Sequence, residues 1–214
     1  MDATDMTLDE IMIQTQSDKA SVFTRTYAKP KSYCRHYEKL FASLRDQPIK
    51  LLEVGVGGGE SIRGWLQYFP NARVFGVDNV HDTNPWDTPC TNPAGGANLE
   101  RDRYTFVYGD QSSDTFWQCF IADYGRDWDI VIDDGGHYSH QIIATFNALW
   151  PMMKQGGFYG IEDLGVAYGD GSFVTPGTKH HMDWLRLRLD HLNTSSDIDS
   201  IYFARELAVI RKAL

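Results

Sequence analysis

Four carboxylates and one imidazole fall into two short runs, Asp133-Asp134-Gly135-Gly136-His137 and Glu162-Asp163. Each run closes an apolar stretch, 128–133 and 158–161, of the length and composition of a buried strand. Hard oxygen donors on neighbouring strand ends suit magnesium, which takes carboxylates and water in octahedral geometry. Zinc would want more histidine or cysteine, and His140 beside His137 keeps that alternative open. An imidazole titrates close to neutral pH and is suited to take a proton from a hydroxyl that such a metal has polarised.

A second constellation lies upstream, in Leu51-Leu52-Glu53-Val54-Gly55-Val56-Gly57-Gly58-Gly59-Glu60. An apolar run that stops in a carboxylate and glycines is a parallel strand turning sharply into a helix, where a ligand can lie against the backbone. A dinucleotide fingerprint would place its third glycine at position 60, where the chain has Glu60. Glu53 and Glu60 also bracket the turn with negative charge, which disfavours a pyrophosphate and favours a ligand with a cationic part. S-adenosylmethionine, with its ammonium and sulfonium, is such a ligand, and the pattern resembles motif I of the class I methyltransferases. That resemblance implies cofactor contacts from Glu53, Gly55 and Gly57, ribose hydroxyls on Asp78, and adenine recognition by Asp110 with Gln111. Asp110 also suits the start of a helix, where the dipole stabilises a carboxylate.

More closely, the chain resembles the metal-dependent O-methyltransferases that modify sugars on macrolide antibiotics. The matching pieces are His36-Tyr37-Glu38, the run 51–60, Gly76-Val77-Asp78, Gly109-Asp110-Gln111, the run 133–137, and Gly156-Gly157 through Glu162-Asp163. The resemblance implies magnesium on Asp134, Glu162 and Asp163, and His137 as general base. It further implies a sugar-like hydroxylated acceptor, a place in natural product or antibiotic biosynthesis, and a homo-oligomer. Two departures stand out: a long insertion at about 79–103, and no counterpart of the large N-terminal auxiliary region of the macrolide enzymes. The same metal would also bind the vicinal oxygens of a catechol-like acceptor. A nicotinamide oxidoreductase and a noncatalytic nucleoside-binding protein are the readings from other classes.

The elements that must position these residues follow from periodicity. Strands are expected at 49–54, 73–78, 104–109, 128–133 and 158–161, with helices at 60–69, 115–124 and 138–150 between them. A helix carrying Tyr37, Leu40, Phe41 and Leu44 precedes them, and an amphipathic helix carrying Met182, Leu185, Leu189 and Leu192 follows. The runs 200–204 and 207–211, split by Arg205-Glu206, form a hairpin. The sum is an α/β, Rossmann-like, seven-stranded and mainly parallel sheet with a C-terminal antiparallel hairpin and helices on both faces. The 214 residues read as one domain with a mobile, partly helical N-terminal arm over about 1–46. Every core strand then delivers an acid to one rim, and their mutual repulsion requires cations or hydrogen-bond donors nearby.

Composition narrows the partners. A net charge of −9 without any dense basic stripe argues against nucleic acid. Cys34, Cys90 and Cys119 are too scattered for a disulfide framework or a zinc ribbon, and the polar start at 1–10 resembles neither a signal peptide nor a membrane span. A cytoplasmic protein is expected. Ser17 to Lys19, His36, Trp86, Tyr168 and His180-His181 read as surface or packing residues, some of which line or cover an acceptor pocket.

Overall fold

The computed structural model describes residues 6–22, 30–79, 101–169, 173, 180–194 and 197–214. Its strands are β1 (Lys50–Val54), β2 (Arg73–Asp78), β3 (Tyr104–Tyr108), β4 (Trp128–Asp133), β5 (Met153–Ile161), β6 (Ile198–Ala204) and β7 (Leu207–Lys212), in the order β3-β2-β1-β4-β5-β7-β6. The first five pair in parallel, and β7 runs antiparallel between β5 and β6. The expected sheet is therefore present, hairpin included. Among the described residues, no helix is long and apolar enough to cross a membrane.

Side-chain alternation divides the core into two layers. Leu51, Val74, Ile130, Ile132, Phe158 and Val209 point to a layer completed by α1 (Leu8–Thr15), α2 (Cys34–Phe41) and α3 (Glu60–Tyr68). Leu52, Phe75, Val131, Tyr159 and Ile210 point to the opposite layer, completed by α4 (Asp114–Tyr124), α5 (Ser139–Leu149) and α6 (His181–Thr194). This parity, set by the strands, decides where each acid at the rim ends up.

Two expectations need correction. The strand expected at 158–161 is longer: after a short 3-10 turn at Trp150–Met152, β5 already begins at Met153, paired with Trp128. The register then shifts between Trp128 and Ile130, and Gly156 takes a φ of 76°, so the glycine pair marks a bulge within a strand. The described part of the N-terminal arm is docked as well. Thr7 and Glu10 close a capping box on α1, and Leu8, Ile11 and Met12 are fully buried. Met12 lies so close to α3 that a Cβ on Gly64 would meet its sulfur at 2.3 Å. Capping and burial thus fix a segment whose sequence shows only weak periodicity. The insertion expected at 79–103 lies mostly outside the described residues, its end being a 3-10 turn at Arg101–Arg103.

Docking of α1 has a measurable consequence. Ile11→Ala should lower unfolding stability by about 2–5 kcal/mol, as for a fully buried branched side chain. An unchanged urea midpoint would mean that α1 is not packed on the domain.

Candidate active site

The turn after β1 forms the floor of the crevice. Gly55 has a φ of 90°, and a Cβ there would lie 2.1 Å from the Asp134 carbonyl oxygen, so the two loops can touch only with glycine at this position. Gly57 also has a positive φ, but a Cβ there would meet nothing within 4 Å, leaving the turn open on its ligand side. Asp78 Oδ2 accepts from the amides of Val56 and Gly57 at 2.8 and 3.1 Å, bracing the turn from β2. A cavity of about 260 Å³ is lined here by Gly55, Gly57, Asp78, Gln111, Asp134 and Gly136, among others. A second, of about 310 Å³, shares Gly55, Gly57 and Asp134 and continues to Ser17, Lys19, His137 and Asp163. The two form one crevice.

Lys19 lies at the inner wall of that crevice, with 1% of its side chain exposed. Its ammonium sits 3.1 Å from Glu53 Oε1, 2.5 Å from Asp134 Oδ2 and 2.7 Å from Glu162 Oε2. The acids come from β1 and from the ends of β4 and β5, all with the parity of the α1–α3 layer, because Asp134 and Glu162 continue the strand pairing through Asp134 N to Val54 O and Glu162 N to Asp133 O. Glu53 also accepts from Ser61 and Trp65 of α3, and Glu162 from the Tyr37 hydroxyl of α2 at 2.6 Å. Burial alone would depress the lysine, but Asp134, Glu162 and Glu53 outweigh it and hold Lys19 protonated, well above its ordinary range. Burial and the neighbouring Asp134 push Glu162 well above the usual carboxylate range, against the pull of Lys19.

The outer acids meet differently. Asp163, with a φ of 54°, turns away from the strand, and its Oδ1 accepts from Lys31 and the Tyr33 hydroxyl, each at 2.8 Å. Burial would raise this carboxyl, yet Lys31, His137 and Tyr33 together hold it below its ordinary range. His137 Nε2 stands 4.0 Å from Asp134 Oδ1 and 3.9 Å from Asp163 Oδ2. One ligand atom from each of Asp134, His137 and Asp163 lies within 4.8 Å of the others. Two carboxylate oxygens converging at the crevice wall, with an imidazole beside them, fit a divalent cation.

Of the residues singled out in sequence, Gly55, Gly57, Asp78, Gln111, Asp134, His137 and Asp163 line the crevice. Glu53 and Glu162 lie behind it on Lys19. Asp110 Oδ1 is engaged by the amide and hydroxyl of Ser112, which hold its carboxyl below the usual range. Gln111 is buried; it donates to Asp133 and Thr145 and accepts from the Gly136 amide, so it fastens the 133–137 loop. His181 is fully buried against Ser139, and burial pushes it down to about 4, so it is neutral. Trp86 lies outside the described residues. Lys31 and Tyr33 were missed as site residues, while Lys19 was singled out only at the edge of an acceptor pocket and Tyr37 only within a matching motif, neither as a partner of the acids. The signal for them was the excess of rim acids, which required cations without saying where in the chain they would come from.

A parallel sheet of this order with an antiparallel hairpin, and a glycine-turn crevice at the strand ends, is the fold of the class I methyltransferases, and the chain belongs to that fold family. Its sequence relatives are sugar O-methyltransferases. It is 39% identical over 142 residues to the 8-demethyl-8-(2-methoxy-alpha-L-rhamnosyl)-tetracenomycin-C 3'-O-methyltransferase of Streptomyces olivaceus, covering 63% of this chain and 33% of that one. It is 33% identical over 168 residues to the demethylmacrocin O-methyltransferase of Streptomyces fradiae, covering 72% of this chain and 39% of that one. The MycE methyltransferase of the mycinamycin pathway, solved with Mg and SAH, superposes with a TM-score of 0.77 at 25% identity over 97% of this chain and 55% of that one. The chain thus spans about a third to a half of the length of the curated relatives it matches. No protein-family model matches it.

Asp133 has the opposite parity and faces the α4–α6 layer, where burial pushes its carboxyl up to about 6. Its Oδ2 and the Tyr159 hydroxyl are buried neighbours that stop short of hydrogen-bond geometry. Because the folded value lies above the ordinary 3.8, the unfolded chain loses this proton first as pH rises. Stability should therefore fall between about pH 4 and 6, by about 3 kcal/mol in total at 1.36 kcal/mol per pKa unit. Asp133→Asn, whose amide can donate to Tyr159, should remove that fall and gain stability near neutral pH. Urea midpoints for the two proteins that move in parallel from about pH 4 to 7 would refute the assignment.

Proposed function

We propose that this chain is the catalytic domain of an S-adenosylmethionine- and magnesium-dependent O-methyltransferase acting on a hydroxyl of a sugar or glycosylated natural product. One observation carries the reading: the cavity over the glycine turn shares Gly55, Gly57 and Asp134 with the cavity that holds His137 and Asp163. Kinship to sugar O-methyltransferases supports it. In this reading the half lined by Gly55, Gly57 and Asp78 takes the nucleoside, and the half beside His137 takes the donor's methyl end and the acceptor.

Asp134 Oδ1 and Asp163 Oδ2 would hold the magnesium, and Glu162, the third acid of the family pattern, would join them only by giving up its bond to Lys19. When bound, magnesium supplies Lewis acidity that lowers the pKa of an acceptor hydroxyl, and S-adenosylmethionine supplies the methyl group. His137 takes the hydroxyl proton on Nε2. The 133–137 loop that carries it is fastened through Gln111 and Gly136, so the base is held in place before substrate arrives. Lys31 and Tyr33, by holding one oxygen of Asp163, leave its other oxygen toward the crevice. The remaining parts of the reading are a small hydroxylated partner in place of nucleic acid, a cytoplasmic setting, and a homo-oligomer, which light scattering would decide.

His137→Ala should keep S-adenosylmethionine binding and lose at least about a hundredfold in turnover, as expected when a general base is removed. Near-unchanged turnover would reject that role. Activity should vanish with a chelator and return with magnesium; full activity in the chelator would remove the metal. S-adenosylmethionine and S-adenosylhomocysteine should raise the melting temperature where NAD does not. Stabilisation by NAD alone would favour an oxidoreductase.

A further inference from the structure

Lys19 reaches the site from the N-terminal segment, beyond α1, and belongs neither to the sheet nor to the loops that bear the acids. Its contacts select among the carboxylate oxygens. Asp134 gives Oδ2 to Lys19 and turns Oδ1 toward His137, while Glu162 gives Oε2 to Lys19 and Oε1 to Tyr37, keeping neither oxygen for the crevice. Asp163 is divided in the same way by Lys31 and Tyr33. The four carboxyl groups of Glu53, Asp134, Glu162 and Asp163 thus share the two ammonium groups of Lys19 and Lys31.

Resting on the metal reading above, we infer that Lys19 is a positioning residue that sets the strength of the metal site, withholding Glu162 and one Asp134 oxygen from the cation so that binding is moderate and the acceptor finds open positions. A monovalent ammonium this close to Asp134 also repels a divalent ion placed on its other oxygen. Removing the ammonium frees two more oxygens and ends that repulsion. It also leaves buried acids without a partner, which destabilises the metal-free chain.

The test is calorimetric titration of the purified full chain with Mg²⁺ and with Mn²⁺, comparing wild type, Lys19→Met and Lys19→Arg, with melting temperatures measured with and without metal. Lys19→Met should bind metal at least about tenfold more tightly than wild type, and metal should raise its melting temperature by more than it raises that of wild type. Lys19→Arg keeps the charge and should stay within about threefold of wild type. A lysine that merely holds the fold together would weaken metal binding when removed. Equal or weaker binding by Lys19→Met, with wild type binding normally, therefore overturns the role of Lys19 and leaves the methyltransferase reading intact. A wild type that binds neither ion overturns the metal reading itself, and this inference with it. Should Lys19→Met be unfolded without metal, recovery of its circular dichroism on adding Mn²⁺ supports the inference, and failure to recover at any concentration overturns it.

Discussion

A single ammonium, enclosed by carboxylates from three parallel strands, is the interaction on which the rim of this sheet depends. Strand ends that each deliver an acid to one place would repel one another in a dry environment, and an unpaired buried charge is costly by several kcal/mol. Lys19 removes that conflict for Glu53, Asp134 and Glu162 at once. Lys31 does the same, in a more exposed place, for Asp163. With the inner acids drawn together on Lys19, the outer oxygens of Asp134 and Asp163 converge near His137.

The period-two geometry of the strands does the sorting. Adjacent acids in the chain, Asp133 and Asp134, go to opposite layers: one meets Gln111 and Tyr159 below α5, the other Lys19 above β1. A one-residue slip in β4 would exchange them, placing Asp133 in the crevice and Asp134 in the opposite layer. The β1–β4 pairing, continued past the strand by the Asp134 amide on the Val54 carbonyl, fixes the register against this. Gly55 completes the fit by letting the Asp134 backbone rest on the turn.

The sheet and most helix limits were legible because apolar runs, glycine turns and helix periodicity are local signals. β4 falls on the expected residues, and Arg205-Glu206 joins β6 to β7 as a hairpin. At the site, the glycine turn, Asp78 and the Asp134–His137–Asp163 group were readable for the same reason: strand ends converge by topology. Glu53 and Glu162 could be placed at the rim, but their side-chain partners could not be read, because Tyr37, Trp65 and Lys19 come from other helices and segments. The bulge in β5 was hidden by glycines that look like a turn. Lys19 was named only as a residue at the edge of a pocket, because burial of a lysine in a polar stretch has no local mark; only its distant acids make sense of it.

That distance has a consequence for how the molecule is made. Lys19 and Glu162 are 143 residues apart, and Lys19 and Asp134 are separated by 115. Asp134 and Glu162 follow Lys19 in synthesis by those distances, so until β4 and β5 have been made the ammonium has Glu53 alone of its three acids. The rim therefore cannot close before β5 is in place, and long-range closure of this kind is a slow event in folding.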